Sequence, residues 1–182
     1  MSETTLAQAV SDYIIVKRTD CPYYPYNRKP VLLGFEHTGF LEYRLGSLKL
    51  WLHPNQRNNR KIKAKEVFEY IQQNTVTFLP LINSCLGLLD GYAIQENGVE
   101  AFFKVFGDKK LLLWKSVVKQ AEMNPKKGLQ YSYYVPFVCA RRGRVEIGWL
   151  WLEDYLMPGD ITPCFREKIK KPILEPQKFL AA

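Results

Sequence analysis

Hydrophobic and polar positions alternate most regularly in the last third of the chain. Leu129, Tyr131, Tyr133, Val135, Phe137 and Cys139 are interleaved with Gln130, Ser132, Tyr134 and Pro136, the period of two that a strand imposes. Val145, Ile147, Trp149 and Trp151 repeat it after Arg141-Arg142-Gly143-Arg144. This region predicts a long β-hairpin with a basic tip. A helical period appears earlier, where Val67, Phe68 and Ile71 form a stripe between Lys63 and Asn74. Pro80 then fits the first turn of a second helix, which Gly91 would stop after Asp90. Residues 92–95 and 99–106 flank Glu96-Asn97-Gly98, a hairpin signal. Asp108 reads as the N-cap of a further helix, with Leu111, Trp114, Val117, Val118 and Ala121 spaced by threes and fours up to Asn124-Pro125.

The N-terminal part is less regular. Leu6, Ala9, Val10, Tyr13 and Ile14 suggest a short helix that turns into a strand by Val16. In the run from Cys21 to Pro30, Pro22, Pro25 and Pro30 exclude a helix and predict an extended arm with Tyr23, Tyr24 and Tyr26. Residues 41–45 and 48–52 read as a hairpin around Gly46-Ser47, with Leu48, Leu50 and Leu52 on one face. Residues 53–61 read as an exposed polar loop. Together these elements predict a single α+β domain of antiparallel hairpins packed with two or three helices and closed by a long C-terminal hairpin. Residues 1–30 form its N-terminal helix and arm, 31–157 the core, and 158–182 a basic tail punctuated by prolines.

Charge sharpens this picture. The 182 residues carry 26 Lys and Arg against 18 Asp and Glu, a formal +8. From Glu66 to Phe103 there is no Lys or Arg, and five acids make that block −5, leaving +13 elsewhere. Arg57, Arg60, Lys61 and Lys63 fall in one acid-free stretch, and Arg141, Arg142 and Arg144 in another. Cations grouped with amides and tyrosines suit contacts to phosphates and sugars, and exposed tyrosines can stack bases. Tyr24 and Tyr134 are the candidate platforms, since Tyr131 and Tyr133 share the face of Val135 and Phe137. The function expected is non-catalytic binding of DNA or RNA. An acidic protein partner is an alternative for the same cations.

Catalytic readings are sparser. Cys21, Cys85, Cys139 and Cys164 are far apart in sequence, and His37 and His53 have no neighbouring ligand-type residue, so no zinc site and no cofactor is expected. Free thiols and the lack of a secretory or bilayer-spanning run fit a cytoplasmic protein away from membranes. Asp108-Lys109-Lys110 has the Asp-x-Lys form of metal-dependent nucleases, with Asp90 as a second carboxylate; Asp90, Asp108 and Lys110 are the catalytic candidates of that alternative. Gly87-Leu88-Leu89-Asp90, read as a helix end before a hairpin and a helix, resembles the LAGLIDADG homing endonucleases over residues 80–152. That family places its metal-binding acid at the position of Tyr92, so the resemblance implies the order of elements and no catalysis.

Overall fold

The computed structural model describes residues 12–18, 22–32, 39–58, 60–73, 75–76 and 79–165. The chain opens with β1 (Tyr13–Arg18), β2 (Lys29–Pro30) and β3 (Gly39–Arg44). A 3₁₀ turn at Leu45–Ser47 leads to β4 (Lys49–Trp51), α1 (Pro54–Arg57), β5 (Ile62–Lys63) and α2 (Ala64–Gln73). The short β6 (Thr75–Val76) and β7 (Leu79–Pro80) precede a second 3₁₀ turn, then α3 (Leu88–Glu96) and α4 (Val99–Phe106). The remainder is β8 (Leu111–Leu112), β9 (Val118–Asn124), β10 (Gly128–Arg141), β11 (Arg144–Trp151), β12 (Tyr155–Leu156) and β13 (Thr162–Cys164). The fold is α+β with antiparallel sheets, as the patterning predicts.

The main sheet runs β11-β10-β9-β2, with β8 beside β9 along the same edge of β10. At 14 residues, β10 is its spine. Its N-terminal half pairs with β9 and its C-terminal half with β11, so the two hairpins point in opposite directions. Alternation along β10 divides the core. Val138 packs with Ile94, Phe102 and Phe106 on one face, under α3 and α4. Val135 packs with Val67, Phe68 and Trp114 on the other, under α2. Helix α2 buries Ala64, Val67, Phe68 and Ile71, the spacing that puts one stripe against a sheet.

Several expectations are overturned. Residues 41–45 and 48–52 are not a hairpin: β3 pairs with β1, whereas β4 pairs with β13, because Leu45 and Leu48 both turn inward and separate the two strands. Leu50 is exposed although Leu48 is buried, so Leu48, Leu50 and Leu52 do not form one buried face. The loop at 53–61 is partly helical and buries His53 and Gln56. Helix α3 begins at Leu88 rather than near Pro80 and runs through Gly91, whose missing side chain admits Leu113 and Val138; a Cβ there would lie 2.6 Å from Leu113 Cδ1. Residues 92–95 and 99–106 are helices α3 and α4, joined where Gly98 takes φ +95°. This removes the hairpin that the endonuclease resemblance required after Asp90. The helix expected over 111–121 is β8, a 3₁₀ turn and β9; every residue from Leu111 to Val118 is buried, so its threes and fours carried no amphipathic information. The Pro/Tyr arm is not uniformly extended either. A tight turn spans Pro25 to Arg28, with Tyr26 and Asn27 both at positive φ, and β2 then joins the edge of β9. Beyond Pro158 the chain is built into the body as far as Phe165. The N-terminal helix, Cys21 and the basic residues after Phe165 lie outside the described residues.

Candidate nucleic-acid interface

The basic tip is a two-residue turn. Arg141 faces Arg144 in the register, and Arg142 and Gly143 sit at φ 51° and 77°, the left-handed pair that a type I′ turn needs. Arg141, Arg142 and Arg144 are all exposed. Arg144 Nε lies 2.6 Å from Glu146 Oε1, which neutralises it locally.

The second basic group is held by α1. His53 Nδ1 accepts the Asn55 N–H at 3.2 Å, and Gln56 Oε1 accepts the His53 N–H at 3.1 Å. These bonds cap a helix that is one turn long. Burial holds the His53 imidazole below its usual pKa, against a smaller opposing effect of Glu66. A neutral ring is what lets Nδ1 act as an acceptor. Gln56 Nε2 then donates to the Asp160 carbonyl at 2.9 Å, which fixes α1 on the turn before β13. Arg57, Arg60 and Lys61 project beyond this anchor and are exposed. Lys63 differs, being held 2.8 Å from Glu153. That bond lowers the carboxyl pKa and raises that of the amine.

A continuous set of contacts joins the two groups. Asp160 Oδ1 lies 3.8 Å from Lys110 Nζ, which sits 5.3 Å from the centre of the Phe137 ring. Phe137, Cys139 and Arg141 then follow one face of β10, about 6.6 Å apart at each step. Cys139, its thiol pushed up chiefly by burial, feels Glu146, Lys110, Arg141 and Asp160 together. Gln56 of α1 is thus connected through Asp160, Lys110 and Phe137 to the strand that ends at the hairpin tip. Lys126 and Lys127 do not belong to it, since their turn lies at the other end of β10, about 43 Å from the tip if the strand is straight.

The two tyrosine platforms are engaged within the protein. The Arg28 guanidinium lies 4.3 Å from the Tyr134 ring centre and 4.7 Å from that of Trp149, and its Nε donates to Gln120 Oε1 at 2.9 Å. Desolvation lowers the Arg28 pKa, opposed by nearby Tyr134, Tyr26 and Glu122. Tyr24 is half-buried against the α3–α4 core. Arg28 and Tyr134 are 106 positions apart, so no local pattern marks this clamp; the adjacent aromatic and basic residues of the arm are its one local sign.

The nuclease candidates are separated by burial. Asp90 is 1% exposed and its Oδ2 accepts the Gly87 N–H at 2.8 Å, closing the first turn of α3. Asp108 is exposed in the turn after α4, and Lys110 is committed to Asp160 and Phe137. Among the described residues no three His, Cys, Asp or Glu side chains gather as a metal site, and no helix is long and apolar enough to cross a membrane. Fold and surface define the class, a mixed α+β chain with segregated cations. Compared with known protein families, curated proteins and solved structures, the chain matches none.

Proposed function

We propose that this protein binds nucleic acid without cleaving it, meeting phosphates with Arg57, Arg60 and Lys61 on one flank and Arg141 and Arg142 on the other. The observation that supports this reading is the Gln56–Asp160–Lys110–Phe137 set of contacts, which ties the helix carrying Arg57 to the strand that ends at Arg141. None of these five cations has a carboxylate within 4 Å among the described residues. Arg144 and Lys63 are held by Glu146 and Glu153 and add less. Because Tyr134 carries Arg28 and Tyr24 is packed, the reading rests on backbone contacts rather than stacked bases, which favours a duplex over a single strand.

The test is fluorescence anisotropy with labelled duplex and single strand at low salt. The pairs Arg57→Ala/Arg60→Ala and Arg141→Ala/Arg142→Ala are each expected to weaken binding to a similar extent. Absence of binding by the unmodified chain at low salt overturns the proposal. If a partner instead co-purifies from extract after nuclease treatment, the same cations serve an acidic protein.

A further inference from the structure

The β9–β10 hairpin leaves one of its backbone edges open. Strand β11 ends at Trp151 opposite Tyr134, so among the described residues nothing pairs with that side of β10 from Gly128 to Ser132. The Tyr133 carbonyl already bonds to the Leu152 N–H on this side, at 2.9 Å. By the alternation of an antiparallel ladder, Leu129 and Tyr131 turn their N–H and C=O the same way. Their side chains are exposed as well, at 55% and 51%. An unprotected edge carrying apolar side chains is a template for another strand. Beside it lies a cleft of about 830 Å³, walled on the far side by Phe68, Glu69 and Gln72 of α2.

We propose that the occupant is a second copy of this chain, its β10 edge pairing antiparallel with the first. The register follows from which groups point outward. The register that pairs the outward groups of both residues has Leu129 facing Tyr131 of the other copy and Tyr131 its Leu129, so the two-fold axis passes between the two Gln130 residues. This isologous arrangement is self-complementary in three respects. Main-chain donors meet acceptors, and the apolar side chains of both copies lie on the α2 side of the joined sheet. The Lys126–Lys127 turn of each copy comes against the 152–154 turn of the other, where the exposed Asp154 supplies opposite charge while Glu153 is held by Lys63 and Lys65. A register two residues longer would drive that turn into β11, so the end of β11 sets the stop. The pairing uses none of the cations of the nucleic-acid reading, of which Arg141 and Arg142 lie at the far end of β10.

The test uses the full chain. Sedimentation from micromolar to millimolar concentration is expected to show a monomer–dimer equilibrium. Tyr131→Pro deletes an N–H that the β9 ladder does not use, and Leu129→Lys charges the apolar strip; each is expected to leave a monomer. In the proposed register Gln130 opposes itself in a non-hydrogen-bonded pair with Cα atoms about 4.5 Å apart, within disulfide range. Oxidised Gln130→Cys should therefore form a covalent dimer. Ser132→Cys should not, because the two copies of residue 132 lie about 13 Å apart along the strands. A monomer at every concentration overturns the proposal. So does a dimer that survives both edge variants, or equal cross-linking at positions 130 and 132.

Discussion

Salt dependence is the most quantitative consequence of the proposed footprint. Each phosphate neutralised on B-DNA contributes about −0.9 to the slope of log K against log salt. Arg57, Arg60, Lys61, Arg141 and Arg142 are exposed and lack a nearby carboxylate among the described residues. If all five contact phosphate, the slope is about −4.5, and duplex affinity falls about 500-fold between 50 and 200 mM salt. Removing Arg141 and Arg142 leaves three contacts, a slope of about −2.7 and a fall of about 40-fold. Arg144 provides an internal control, since its guanidinium is held 2.6 Å from Glu146. Arg144→Ala should change the slope by less than Arg142→Ala, and Glu146→Ala should steepen it by releasing Arg144. The assay is anisotropy on one duplex across a salt series, with folding checked by circular dichroism. A slope near zero, or one that the Arg141/Arg142 pair does not alter, refutes the footprint.

Other predictions concern the fold that holds this face. A Cβ on Gly148 would lie 2.4 Å from Phe137 Cζ, so Gly148→Ala should destabilise the chain in urea by about 1–3 kcal/mol; a neutral result would mean the ring swings aside freely. Cys85 and Cys164 face each other across an antiparallel bridge with their sulfurs 3.9 Å apart. Mild oxidation with an excess of small-molecule disulfide should join them, lowering the mass by two hydrogens. Closing a loop of that length should also raise stability by about 4.5 kcal/mol, and failure to cross-link in the native state would show that burial denies access. His53 has a lowered folded pKa, so the unfolded chain takes up its proton first as pH falls. The His53 contribution to stability should be full above the usual histidine range and disappear as pH drops through that range towards its folded pKa. Thermal melts of His53→Asn, which keeps a capping side chain, should show a shallower loss; an unchanged profile would assign the acid sensitivity elsewhere.

Much of the architecture was legible without coordinates, and the reason is solvent contact. Helix α2 keeps one face wet, and β10 carries exposed positions at both ends, so the period of their apolar residues registers in the chain. The acid-free clusters at 57–63 and 141–144 were equally plain, because charge is read directly. Where burial is complete the period vanishes, and the run from Leu111 to Val118 passed for a helix. Gly91 looks like a helix stop in the sequence for a related reason: its role is to admit Leu113, a neighbour that only folding supplies.

Local order therefore decided the hairpin, the helix, the α+β class and the sign of the surface. The three-dimensional fold alone decided that α1 is tied through Asp160 and Lys110 to the strand ending at Arg141, while Lys126 and Lys127 sit at the far end. It also spent Tyr134 on Arg28 and left the β10 edge open. These are contacts between residues dozens of positions apart, governed by how β10 shares its two edges among β8, β9 and β11. No pattern within a short window of sequence carries that choice, because it is made by competition for the same backbone hydrogen bonds.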